Sequence, residues 1–209
     1  MPFDIAIRVE SAGRVGEDRA AAFSLSDGHL LVLADGAGGT SGGAAAAEAV
    51  VARARSLAVT SALDCLRFLE ELDRDLTAVG QTTAVMVALF EDHLFGASVG
   101  DSTAWLVHTD GLVDLTENQV AKPLLGSSRA KPAPFGLRHC RGRVVIGSDG
   151  LFKYVSFERV LNIARTSPLA ALPDELVAAA RLPSGGLQDD IAIIVAGQQA
   201  VAADGRASS

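Results

Sequence analysis

The chain has 209 residues, 49% of them hydrophobic and 21% charged, with a formal net charge of −7. This suits one globular domain and excludes disorder as a description of the whole, while the acidic balance and a single Trp and Tyr argue against a nucleic-acid partner. No apolar run approaches the ~18 residues of a membrane span, no signal-like segment stands at Met1, and two cysteines, Cys65 and Cys140, make no disulfide framework, so a cytoplasmic protein without a membrane partner is expected.

In chain order, apolar runs rich in β-branched residues predict strands over 5–9 and 30–34. An Ala-dominated stretch over 42–57 predicts a helix, with Thr40 or Ser41 as its N-cap. A second helix is expected over 61–78, where Leu66, Leu69, Leu72 and Leu76 recur at helical spacing and Glu70, Glu71, Arg74 and Asp75 face outward. Strands over 83–90 and 93–99 are joined by Glu91-Asp92 so tightly that they read as a β-hairpin. A strand over 103–108 runs into a turn at Asp110-Gly111. Residues 118–138, with Pro123, Pro132 and Pro134, read as an irregular flap. A strand over 143–148, helices over 157–165 and 172–181, and a strand over 191–196 complete the pattern. Residues 1–197 form one domain in this reading, and 198–209 a flexible tail. Helices inserted in blocks between strands favour an α+β fold with mostly antiparallel sheets.

Carboxylates recur where apolar strands end, beside glycine: Glu17-Asp18, Asp35-Gly36, Asp101 after Gly100, Asp149-Gly150 and Asp189-Asp190. An acid at such a junction loses hydration and needs a partner, yet cations are scarce nearby. Clustered carboxylates with few cations suit a divalent ion, and oxygen ligands suit Mg²⁺ or Mn²⁺ rather than Zn²⁺. Two ions bridged by one carboxylate would clamp a phosphoryl group. Each Asp-Gly alone is an ordinary turn, and spacing leaves both readings standing. The glycine-rich run 35–43 carries neither a dinucleotide fingerprint nor a Walker lysine, and reads as a tight strand-to-helix turn. Ser102 lacks a nucleophile elbow, and Cys140 lacks the Cys-x5-Arg loop of cysteine phosphatases.

Taken in order, Arg14…Glu17-Asp18, 34–39, Thr82-Thr83-Ala84, 99–102, 147–152 and 189–192 resemble the metal-dependent serine/threonine protein phosphatases of type 2C, over about residues 5–197. The resemblance implies a four-layer α-β-β-α sandwich, two antiparallel sheets flanked by helices. It also implies a centre of two Mn²⁺ or Mg²⁺ ions. Asp35 would bridge both, with the Gly36 carbonyl on one and Asp149 and Asp189 on the other. Glu17 and Asp18 would hold water, Arg14 the substrate phosphate, and Asp101 part of a third metal site. The implied reaction is hydrolysis of phosphoserine or phosphothreonine in a protein by metal-activated water, with a cognate kinase or its targets as partners. Three features depart from the family. Lys153 stands four residues after Asp149, where the family has an acid, which counts against the third ion. Arg14 lies one residue closer to Glu17-Asp18 than usual, with Gly16 where Asn is frequent, and the flap is short. A non-catalytic phosphoprotein-binding module, or a phosphatase of a small phosphorylated metabolite, are the alternative readings.

Overall fold

A strand that is apolar on both faces must be covered on both, and several strands of this chain are of that kind. The computed structural model describes residues 3–37 and 42–198. Its strands are β1 (Phe3–Glu10), β2 (Arg19–Ser24), β3 (Gly28–Ala34), β4 (Ala84–Phe90), β5 (His93–Val99), β6 (Thr103–Val107), β7 (Leu112–Asp114), β8 (Ala133–Arg138), β9 (Arg143–Gly147) and β10 (Ile191–Gln198). Its helices are α1 (Gly43–Ala54), α2 (Ala62–Asp75), the one-turn α3 (Asp149–Phe152), α4 (Phe157–Thr166) and α5 (Leu172–Ala180).

The strands form two five-stranded sheets, β1-β10-β9-β6-β7 and β2-β3-β4-β5-β8, in which every pairing is antiparallel. Side chains alternate along a strand, and here the alternation sorts residues into layers. Leu31 and Leu33 of β3 and Val85 and Val87 of β4 meet Ala192 and Ile194 of β10 between the sheets. Leu30, Val32, Met86 and Ala88 turn the other way, onto Ala46, Ala47 and Val50 of α1 and Leu69 and Leu72 of α2. Ile191, Ile193 and Val195 of β10 pack on Val160 of α4 and Leu172 and Leu176 of α5. The architecture is therefore the four-layer α-β-β-α sandwich expected. Each fully buried Leu or Ile contributes roughly 1.5–3 kcal/mol to it.

Local signals explain the helices. Asp64 closes the start of α2 by accepting from the backbone N–H groups of Thr60 (2.9 Å) and Ser61 (3.0 Å). Cys65, Phe68, Leu69 and Leu72 then lie on its buried face. Gly42 precedes α1 at φ 102°, and a Cβ there would stand 1.8 Å from the Val79 carbonyl oxygen, so only glycine fits. Thr40 and Ser41, the expected caps of this helix, lie outside the described residues, as do Gly38 and Gly39.

The structure departs from expectation in several places, the unpredicted one-turn α3 among them. β2 has no counterpart in the predicted elements: its Arg-Ala-Ala-Ala-Phe-Ser sequence is a half-buried edge strand with little β propensity, specified by its pairing with β3. β8 lies inside the stretch expected as an irregular flap, and pairs with β5 on one side only. Pro134 is tolerated there because an edge strand has an unpaired side. The short β7 after the Asp110-Gly111 turn is likewise additional to the predicted strands. Finally, β10 extends to Gln198, taking in the first residue of the expected tail, whose remainder, 199–209, lies outside the described residues. The Glu91-Asp92 hairpin is present, with Leu89 opposite Leu94.

Candidate active site

The strand register assembles the site. In one sheet Arg19 pairs with Ala34, Leu33 with Val85 and Ala84 with Val99. In the other, Glu10 pairs with Ile191, and Gly147 with both Ile193 and Thr103. The start of β2, the end of β3, the end of β5, the end of β9 and the start of β10 thus share one end of the sandwich. These are the junctions that carry the acids. A cleft of about 300 Å³ opens there, walled by Glu17, Asp18, Asp35, Gly36, Asp101, Asp149, Asp189 and Asp190, with Thr83, Lys122 and Lys153.

Close backbone approaches set the spacing. A Cβ on Gly36 would stand 2.5 Å from the Gly43 carbonyl carbon, so the start of α1 lies directly on the residue after Asp35. A Cβ on Gly150 would stand 2.0 Å from the Asp190 carbonyl oxygen. Glycine there lets α3, which opens with Asp149, touch the segment that brings Asp189 into the cleft. Asp35 is fixed by its main chain: its N–H donates to Thr83 Oγ1 (3.1 Å), and its carbonyl accepts from Thr82 Oγ1 (2.8 Å) and the Thr83 N–H (2.8 Å). Thr83 Oγ1 in turn shares a hydrogen bond of 2.7 Å with Ser102 Oγ.

The electrostatics are dominated by crowding of acids. Asp18 is 2% exposed, and its Oδ2 is buried without a hydrogen-bond partner. Burial first, then the nearby charges of Asp190 and Asp149, push its carboxyl above the ordinary range, with hydrogen bonds to Ser148 and Asp35 opposing. The Asp35 carboxyl is pushed higher by burial and by the charges of Asp18, Asp149 and Asp101. Asp18 and Asp35 thus crowd each other, and ionising both carboxyls at once is disfavoured. Lys153 donates to Asp149 Oδ2 in an ion pair, and that bond raises the proton affinity of its ammonium.

Among the described residues, no group of three or more His, Cys, Asp or Glu side chains is set to hold an ion as the side chains stand. The donor set nonetheless fits a hard divalent ion: oxygen atoms only, held on rigid strand ends, with one buried oxygen, Asp18 Oδ2, that nothing satisfies.

Of the residues expected from sequence, the cleft brings together Glu17, Asp18, Asp35, Gly36, Asp101, Asp149 and Asp189. Arg14 is not in its wall. It stands exposed on the loop between β1 and β2. The sequence alone gives no role to Asp190, Lys122 or the Thr83 hydroxyl. Asp190 anchors the loop that leads to Glu17, accepting from Ser11 Oγ (2.9 Å), Ala12 N–H (2.8 Å) and Glu17 N–H (2.6 Å). Its place in the Asp189-Asp190 pair is the available signal, but a partner some 170 residues away leaves no local trace. Lys122 and Thr83 carry no local sign of their position.

Solved structures share this fold. Serine/threonine phosphatase Stp1 from Staphylococcus aureus matches with a TM-score of 0.81 at 20% identity, covering 96% of each chain. The serine/threonine phosphatase PstP/Ppp of Mycobacterium tuberculosis matches at 0.78 and 21%, covering 95% of this chain and 99% of that one. The PstP catalytic domain in complex with two manganese ions matches at 0.79 and 22%, over 93% and 97%. These likenesses show a common fold, the one that the type 2C resemblance implied. No protein-family model and no curated protein sequence matches the chain. No helix among the described residues is long and apolar enough to cross a membrane.

Proposed function

We propose that this chain is a metal-dependent phosphoserine/phosphothreonine protein phosphatase that uses two Mn²⁺ or Mg²⁺ ions. The observation that carries the reading is the buried Asp18, with its unsatisfied Oδ2, beside the half-buried Asp35 in a cleft of acids at the end of this sandwich. Asp35, the Gly36 carbonyl, Asp149 and Asp189 would hold the ions. Bound there, they would supply Lewis acidity and a water activated as nucleophile at neutral pH.

The chain's own residues do the rest. Asp35 is presented by a main chain locked to Thr82 and Thr83, so its carboxylate is aimed before any ligand arrives. Glu17 and Asp18, on a segment tied to Asp190, accept hydrogen bonds from water and fix its direction. Arg14, exposed on the same loop and outside the wall, would meet the substrate only beyond the cleft. Among the described residues the wall offers no Ser, Cys or His nucleophile, which supports direct attack of water on phosphorus without a phosphoenzyme. The solved structures that share the fold are serine/threonine phosphatases, which supports a phosphorylated serine or threonine as substrate.

The test is p-nitrophenyl phosphate hydrolysis with EDTA, Mg²⁺ or Mn²⁺, in wild type and Asp149→Asn. Turnover that needs the metal and vanishes in the variant is the expected result. A folded wild type without turnover under either metal overturns it. That outcome favours a phosphoprotein-binding module, a reading for which the Lys153 ion pair on Asp149 speaks.

A further inference from the structure

A phosphoryl group entering this cleft meets a wall of carboxylates, and needs fixed positive charge to counter them. Among the described residues, two cationic side chains line the wall: Lys122 and Lys153. Lys153 caps the C-terminal end of α3, one turn after Asp149 on the same face, which brings its ammonium onto Asp149 Oδ2. Asp101 and Asp189 are its other charged neighbours. Its side chain is 54% exposed against 18% for Asp149, so the ammonium end is free to reach toward the cleft mouth while the carboxylate is not. Lys122 stands on a segment pinned on both sides: Gly100 N–H donates to the Val120 carbonyl (3.2 Å), and Leu125 exchanges two main-chain hydrogen bonds with Thr82.

We propose that Lys153, with Lys122, binds the substrate's phosphoryl oxygens, and that a divalent ion taking the Asp149 carboxylate is what releases Lys153 to do so. The inference rests on the phosphatase reading and names the phosphate-binding residues of that site. An ion on Asp149 removes the acceptor that holds the ammonium. With Asp149 engaged, the ammonium keeps Asp101 and Asp189 as charged neighbours but loses its hydrogen-bond acceptor, and an incoming phosphoryl group offers it new oxygen acceptors. Lysine suits this role because a mobile point charge can meet any oxygen of a tetrahedral anion. The same geometry makes Lys153 a tethered competitor of the metal, so that it weakens metal binding while it strengthens phosphate binding.

These opposite effects make the test. Mn²⁺ affinity is measured by calorimetry on wild type, Lys153→Met, Lys153→Arg and Lys122→Met. Under saturating Mn²⁺, KM and kcat for p-nitrophenyl phosphate and the competitive inhibition constant of inorganic phosphate are then determined. In Lys153→Met, Mn²⁺ should bind at least threefold tighter, while KM and the phosphate inhibition constant each rise about tenfold, as expected for losing a charge-assisted contact. Lys153→Arg should restore most of the phosphate affinity, and Lys122→Met should weaken phosphate without changing Mn²⁺ binding. Tighter Mn²⁺ binding in Lys153→Met with KM and inhibition constant within twofold of wild type overturns the inference alone and leaves Lys153 a mere counter-ion. A wild type that binds no Mn²⁺ and hydrolyses nothing overturns the phosphatase reading beneath it.

Discussion

Asp35→Asn should make the metal-free protein more stable while abolishing its response to metal. Asp35 lies half-buried beside Asp18 and near Asp149 and Asp101, and its folded carboxyl binds a proton more tightly than in the unfolded chain. Folding therefore takes up a proton, so stability is full below the unfolded value of ~4 and falls as pH rises through the folded value. Each tenfold difference in proton affinity is about 1.4 kcal/mol. With only one to two tenfold steps counted for this screened and coupled pair, the penalty at pH 8 is about 1.4–3 kcal/mol. Asparagine keeps the shape and removes the charge. For a domain of this size, where 1 kcal/mol shifts Tm by ~2–4 °C, the metal-free variant should melt about 3–12 °C above wild type at pH 8, and with little difference at about pH 3.5, below the unfolded value. Wild type with Mn²⁺ at 100 times its Kd should gain about 2.7 kcal/mol, a gain the variant should lack. Thermal melts in EDTA and in Mn²⁺ at the two pH values check this. A variant less stable than wild type in EDTA at pH 8, or one that keeps the Mn²⁺-induced rise, would refute the reasoning.

Because burial and neighbouring acids raise the proton affinity of the Asp18 and Asp35 carboxyls, Mn²⁺ binding should expel protons, so its affinity should increase with pH; calorimetry in two buffers of different ionisation enthalpy reads the number released. Gly150→Ala forces a methyl to within 2.0 Å of the Asp190 carbonyl oxygen, and should weaken Mn²⁺ binding at least tenfold while circular dichroism stays native. Asp73 is buried and accepts from the main-chain N–H groups of Ser127, Ser128 and Ala130, each at 3.0 Å. Asp73→Ala leaves those donors without their charged acceptor, which should cost about 2–4 kcal/mol in a chemical melt, and loosen the segment carrying Lys122, seen as faster amide exchange over 119–130.

Legibility in the sequence followed the range of the forces involved. β10 could be read because Ile191–Ala196 is apolar on both faces and β-branched, a local statement of burial on two sides. The Glu91-Asp92 hairpin could be read because its strands are too close to do anything else. β2 could not, since three alanines in a row carry no strand signal and only pairing with β3 extends them. β8 was hidden by its proline, whose tolerance depends on the strand lying at an edge. The acids of the cleft were legible only as a set: each Asp-Gly alone is an ordinary turn, but five acidic junctions with few cations nearby point to a shared ion. What linked them was not legible. That Asp18 leans on Asp35, that Asp190 holds the Glu17 loop, and that Lys153 rests on Asp149 are contacts made by sheet register and helix docking. Arg14 shows the converse: a motif placed it at the phosphate, while the loop it stands on leaves it outside the cleft wall.

The site also explains why so much apolar surface surrounds it. Carboxylates brought to one end of two sheets repel one another and lose water, so the metal-free cleft works against folding. The strands that end in these acids are the ones buried on both faces: β3, β5, β9 and β10 carry runs of buried residues up to the junction where the acid begins. Packing on both sides holds those ends in place more firmly than the charges push them apart. An edge strand could not do this, which is why β7 and β8 contribute no acid to the cleft wall. β2 is the exception: an edge strand, it places Asp18 only because Asp190, from the opposite sheet, ties down the loop before it. A cation that enters the cleft then relieves strain already held there, so binding strength and folded stability rise together.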